Sequence, residues 1–281
     1  MSTRRKFLQQ SALATVGTML MPHFLKALEH GGAVPSSEKT LVVVQLSGGN
    51  DGLNTVVPFR NDIYYQLRPQ LALPASNVLK ASDELGFHPA LQKLYKTLAE
   101  ASSSADYIYD KWKVFKSSAQ YPDTALGKQL KTVAELIQSG IQSKVFYVSF
   151  SGFDTHVRQQ PQHERLLNTY ADALHSFVGD LEKSDDFKNV LVLTFSEFGR
   201  RVSQNASNGT DHGTANNVFI IGKQLKKAGF LNGTPNLTKL DNGDLIHEVD
   251  FRQVYATILN KWLGANDQIV LGKRFGQLQF I

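Results

Sequence analysis

Apolar residues recur along this chain with two periods, and the alternation between them lays out the elements. Short continuous runs of Val, Leu, Ile and Phe appear at Thr40–Leu46, Ser143–Phe150, Val190–Phe195 and Val218–Ile221. Each is bounded by Gly or polar residues, the signature of buried strands. Between them, apolar residues fall three and four apart. Leu126, Leu130, Val133 and Ile137 predict a helix over Thr124–Ser139, closed by Gly140. Leu167, Tyr170, Leu174, Phe177 and Leu181 predict one over Glu164–Leu181. Phe251, Val254, Tyr255, Ile258, Leu259 and Trp262 predict a buried face on Phe251–Leu263, capped by Asp250 and ended by Gly264. Further helices are expected over His88–Ala101 and Asp106–Lys116. Val56–Lys80 reads as irregular and Ile269–Ile281 as a tail. Strands alternating with helices predict an α/β fold: a mostly parallel sheet with helices on both faces.

The first 30 residues do not fit that alternation. Arg4-Arg5-Lys6-Phe7-Leu8 gives two arginines, one residue, then Phe-Leu, followed by a short, mildly apolar stretch to Leu20. That is a twin-arginine export signal over residues 1–30, with 31–39 as linker and 40–281 as the domain. The apolar stretch is too short to span a bilayer. No clean cleavage site is visible, so a cut signal and a retained membrane anchor both remain open. The expected location is the periplasm or outside the cell, reached through the twin-arginine export machinery.

Composition narrows the chemistry. The chain has no cysteine, which excludes disulfides, thiolate metal sites and cysteine nucleophiles. Any metal must be held by His, Asp and Glu, which suits zinc, manganese, calcium or magnesium. The net charge of +5 is scattered, with no dense basic block, so nucleic acid is not an expected partner.

Candidate ligands cluster just past the predicted strand ends, where open α/β sheets place their chemistry. The first strand runs into Ser47-Gly48-Gly49-Asn50-Asp51, with Asn54 and Thr55 beyond as groups that could contact an anion. The second delivers Asp154 and His156, two apart, so an extended backbone points both the same way. The third ends on Glu197, and Asp211-His212 lies in the loop feeding the fourth. The same residues also suit ordinary turns: Asn-Asp-Gly is a common turn sequence, and Asp154 could cap the turn that follows. His88 reads as a capping histidine and His163 as the exposed start of a helix.

The export signal, LSGGNDGLNT (46–55), GFDTH (152–156), SEFGRR (196–201), GTDHGTANNVFIIG (209–222) and DFRQVYATILNKWLG (250–264) together resemble the DUF1501 family. These are exported bacterial proteins related to the alkaline phosphatase and sulfatase superfamily. The resemblance implies an alkaline-phosphatase-like three-layer sandwich. It implies one or two divalent metals held by Asp51, Asp154, His156, Glu197, Asp211 and His212, with His212 favoured over Asp211. It also implies an anionic substrate, a small ester or a sulfated or phosphorylated glycan, balanced by a bidentate contact from Arg200. Two departures stand out. The third strand ends on Glu197-Phe198, where the superfamily has an Asp-His pair. The segment that carries the Ser or Thr nucleophile in related hydrolases is missing between Leu98 and Asp106, so part of the usual core is lacking. The expected function is metal-dependent hydrolysis of phosphate or sulfate esters, inactive if that nucleophile is required. The alternative is a non-catalytic periplasmic binding protein on the same fold.

Overall fold

The computed structural model describes residues 39–94, 116–140, 143–226 and 228–281. The expected export signal, residues 1–30, and nearly all of the expected linker lie outside these residues. So do Asp106–Phe115 of one expected helix and the stretch from Leu98 to Asp106. No described helix is long and apolar enough to cross a membrane.

The chain is built on a four-stranded sheet. Strand β1 is Thr40–Ser47, β2 Val145–Ser151, β3 Val190–Phe195 and β4 Phe219–Ile221. Their spatial order is β2-β1-β3-β4. β1 runs parallel to both neighbours, while β4 is antiparallel to β3. The sheet is therefore mixed but mostly parallel, as expected.

Alternation along β1 explains the layers. Val42, Val44 and Leu46 enter one apolar cluster, and Leu41 and Val43 enter another on the opposite face. Successive side chains of a strand point to opposite faces, so a strand apolar at every position needs cover on both. Helices α1 (Gly52–Thr55) and α2 (Asp62–Leu67) are short. Helices α3 (Ala125–Gln138) and α4 (Gln159–Lys183) cover the first face through Leu126, Leu130, Tyr170, Leu174 and Phe177. Helix α5 (Phe251–Thr257) covers the second and continues as a wider π turn over Ile258–Trp262. There Trp262 donates its indole N–H to the Thr40 carbonyl, 3.0 Å away. Thr124 caps α3 by accepting the Gly127 N–H at 3.1 Å.

Several expectations need correction. Helix α4 begins at Gln159, five residues before Glu164. Pro161 lies in its first turn, where proline is tolerated because no intrahelical donor is lost. His163 consequently sits within the helix and is buried. Val56–Lys80 is not wholly irregular. It contains α2, and Val56–Val57 and Leu79–Lys80 flank Gly86–Phe87 in a small antiparallel ladder. The start of the expected tail is helical: a short helix α6, Asp267–Leu271, runs into it. Phe251 is 56% exposed rather than buried, at the first turn of α5, with its ring against Tyr255. His88 caps as expected, its Nδ1 accepting the Ala90 N–H at 3.0 Å.

Candidate metal centre

Three loops at the carboxyl ends of β1, β2 and β3 meet at one point. Close backbone approach brings them there. Gly48 lies at φ +113°, and a Cβ on it would stand 2.3 Å from the Asp154 nitrogen. A Cβ on Gly209 would stand 2.2 Å from the His156 carbonyl oxygen. Only glycine fits either position. Gly199–Arg200 and His212–Gly213 pair as a two-residue antiparallel ladder, which sets His212 opposite Arg200. The Phe198 ring packs against the His212 imidazole with centroids 4.3 Å apart.

The result is a convergent triad of Asp154, His156 and His212. His156 Nε2 and His212 Nε2 are 3.0 Å apart. Asp154 Oδ1 is 3.0 Å from His212 Nε2 and 3.1 Å from His156 Nε2. Zinc bonds of about 2.0–2.1 Å in a tetrahedral site put ligand atoms roughly 3.3 Å apart, so this triangle is close to one face of such a site. The side chains are 40–59% exposed, which leaves the fourth side open to solvent. Three protein ligands with an open position is the arrangement of reactive rather than purely structural zinc centres. The donor set, two imidazole nitrogens and one carboxylate oxygen, fits zinc or manganese better than the all-oxygen cages of calcium and magnesium.

Neighbouring groups orient the triad. Asp211 Oδ1 lies 3.4 Å from His156 Nδ1, behind the ring. Asn205 donates to Asp211 Oδ1 at 3.1 Å and to the His156 carbonyl at 3.0 Å. Bonds of this kind fix the tautomer and angle of a ligating histidine. The His212 contact and the Arg200 guanidinium hold the Asp154 carboxyl below the usual carboxylate range, so it is a charged donor at neutral pH.

Arg200 does not face outward to a substrate, contrary to expectation. Its side chain is fully buried. It donates to the carbonyls of Gly49 (2.6 Å), Thr210 (2.8 Å), Phe153 (2.9 Å) and Gly48, and to Asp154 Oδ1 at 2.7 Å. It ties the three loops together beneath the triad. Thr55 and Asn54 are also buried and do not reach an anion from solvent. The Thr55 hydroxyl donates to the Asp51 carbonyl at 2.6 Å, and Asn54 donates to the Leu71 carbonyl at 2.7 Å.

Three expected ligands stand outside the triad: Asp211, which lies behind the His156 ring, Asp51 and Glu197. Asp51 is buried and paired with Arg68 at 2.7 Å. Glu197 accepts from the Gly48 N–H (2.8 Å), Gln45 (3.0 Å) and the Ser47 hydroxyl (3.2 Å), joining the ends of β1 and β3. Sequence spacing could not separate these roles, because all the candidates follow strand ends.

Gln159 and His163, on the first turns of α4, were not among the candidates, although both are buried and polar. His163 Nε2 lies 2.8 Å from Asn50 Oδ1, and its ring packs edge-on against His88. Burial pushes His163 down to about 4 and His88 down to about 3. Unfolded histidines titrate near 6.5, so below that pH the unfolded chain binds more protons and stability falls. Urea unfolding at pH 7 and pH 5 is expected to show the loss, approaching roughly 2 kcal/mol per pH unit if both imidazoles take part. A flat profile would mean that the folded chain protonates them freely.

Residues 117–279, more than half of the chain, match the family described as "Protein of unknown function (DUF1501)". The chain belongs to the DUF1501 family. The matched span contains the whole triad, Arg200 and α3 to α6 of this DUF1501 chain. No curated protein and no solved structure matches it.

Proposed function

We propose that this chain is an exported, metal-dependent hydrolase of phosphate or sulfate esters, with one divalent cation at Asp154, His156 and His212. The observation that carries the reading is the meeting of three donor atoms 3.0–3.1 Å apart beside open solvent. When bound, the cation supplies positive charge to the ester oxygens and an open coordination position. Asp154, His156 and His212 hold it, Asp211 orients the His156 ring, and Arg200 holds the Asp154 carboxylate in place. Among the described residues no serine or threonine hydroxyl is hydrogen-bonded to the triad, so the attacking group in this reading is water. The twin-arginine start supports export, and an anionic ester or a sulfated or phosphorylated glycan fits the charge of the centre.

A second reading is a non-catalytic binding protein that keeps the cation. The withdrawal of Arg200, Thr55 and Asn54 into the interior favours it, because none is left to steer a reacting group.

Zinc titration of the full chain, followed by elemental analysis, tests the site. One bound zinc per chain is expected, with affinity lowered at least about 100-fold in a His156→Ala, His212→Ala double variant. A wild type that binds no stoichiometric zinc or manganese removes the proposal. Nitrophenyl phosphate and sulfate then separate the two readings. Turnover lost in His212→Ala supports the hydrolase; saturable binding of a sulfated glycan without turnover supports the binder.

A further inference from the structure

Beneath the triad lies a second buried polar assembly that the proposed reaction does not use. Gln159 opens helix α4 and has no exposure. Its carboxamide oxygen accepts from two hydroxyls, Thr155 Oγ1 at 3.1 Å and Thr210 Oγ1 at 2.6 Å. Its nitrogen donates to the Asp51 carboxylate. Asp51 in turn is paired with Arg68, whose Nε and Nη2 donate to the carbonyls of Val202 (2.7 Å) and Arg201 (2.8 Å). Asp51, Arg68, Gln159, Thr155 and Thr210 are all at least nine-tenths buried.

The placement of the two threonines gives the assembly its meaning. Thr155 lies between Asp154 and His156, and Thr210 lies two residues before His212. One amide oxygen therefore joins the two loops that supply the donor atoms, at the point where each loop passes under its ligand. The backbone does the same: the Gln159 N–H donates to the Asn208 carbonyl at 2.9 Å, and the Arg158 N–H to that of Ser207 at 3.0 Å. Water cannot replace a lost carboxamide without space for it, so removing the amide leaves two buried hydroxyls without their acceptor and takes one donor from the Asp51 carboxylate, which keeps Arg68.

We infer that Gln159 is a positioning residue that holds the 153–156 and 209–212 loops at ligand spacing and couples the buried Asp51–Arg68 pair to the affinity of the triad. The inference rests on the metal reading for its affinity arm and on geometry alone for its second arm. It also gives Asp51 a role at a distance: the carboxylate anchors the amide that sets the loops.

Gln159→Met keeps the length of the side chain and removes both hydrogen-bonding functions. In the full chain it is expected to weaken zinc binding by about 10- to 100-fold, the usual effect of losing a group that orients a ligand. Thr210→Val is expected to weaken it less, and the double variant to be no worse than Gln159→Met, because both changes break one link. Tyr170→Phe removes a buried hydrogen bond to Thr194 far along α4 and serves as the control for general destabilisation. It should leave zinc affinity within about twofold of wild type. Wild-type affinity in Gln159→Met, or an equal loss in Tyr170→Phe, overturns the inference.

Should the wild type bind no metal, amide hydrogen exchange of the metal-free protein still decides. Exchange at 154–156 and 208–212 must quicken in Gln159→Met and stay unchanged in Tyr170→Phe. Unchanged exchange in Gln159→Met refutes the positioning role, whatever becomes of the metal.

Discussion

Replacing Arg200 by methionine is expected to cost the fold about 3–5 kcal/mol, the range for breaking a buried, hydrogen-bonded charge. The guanidinium is shut off from solvent and serves five acceptors on three loops: four carbonyls and the Asp154 carboxylate. Methionine fills much of the volume but satisfies none of them, and each stranded buried acceptor costs roughly 1–3 kcal/mol before relaxation. Arg200→Lys should recover little. An ammonium keeps the charge, but it is a compact point with three donors and cannot reproduce a planar fork that reaches in several directions. Urea unfolding at pH 7 measures the cost, with thermal unfolding expected to fall by roughly 10 °C for a domain of this size. A loss under about 1 kcal/mol would show that the loops find other donors and that Arg200 is not their tie. The same variant should lose zinc binding, since the Asp154 and His212 loops are held through it.

Arg68→Met is the second large effect, and its pH dependence identifies the cause. Burial alone would raise the Asp51 carboxyl, but the Arg68 and His163 neighbours and the bonds from Arg68 and Gln159 outweigh it and hold it below the usual range. A carboxylate depressed in the fold adds stability at pH values above its unfolded pKa of about 3.9, and that stability is lost as pH falls through the folded value. In the wild type this contribution is therefore complete at neutral pH and disappears only below about pH 4. Without Arg68 the sign reverses. Desolvation then dominates, the carboxyl prefers its neutral form, and an unpaired buried charge at pH 7 costs about 3–5 kcal/mol. The deficit relative to wild type should shrink as pH is lowered toward 4 and Asp51 takes up a proton. Adding Asp51→Asn should return part of the loss at pH 7, since it removes the charge and keeps an oxygen for the Asn54 N–H. A deficit independent of pH would point to lost packing of Arg68 against Tyr64 instead of an exposed charge.

Much of the fold was legible in the chain. Strands β1 and β3 are apolar at nearly every position because both of their faces are covered, and such runs have no other use in a domain of ordinary composition. Helices α3 and α4 show their buried stripes at three- and four-residue spacing. The start of α4 was hidden because its first turn is capped by carbonyls of residues 207 and 208, not by a side chain of its own. The antiparallel run of β4 leaves no trace in its residue pattern, which would be the same in either direction.

The candidate site was legible as a set of residue types past strand ends, and only partly as a set of roles. Asp154 and His156 lie two apart on one extended segment, and the sequence pairs them through local geometry alone. His212 joins them from 56 residues away, and the two-residue ladder opposite Arg200 decides that it does. Asp51, Glu197, Asp211 and Arg200 carry the same chemistry and the same kind of position, yet they become a buried ion-pair partner, a link between strand ends, a support behind an imidazole and a tie among carbonyls. Which of these a charged residue becomes depends on what surrounds it after folding, because burial and neighbours set whether a charge is paired, hydrogen-bonded or left facing water. By itself the sequence determined the alternation of strands and helices, the lack of thiol chemistry and the stretches where ligands could gather. The tertiary structure alone decided that Asp154, His156 and His212 meet at about 3 Å. Distances of that size between residues far apart in the chain are products of loop packing, to which residue spacing carries no signal.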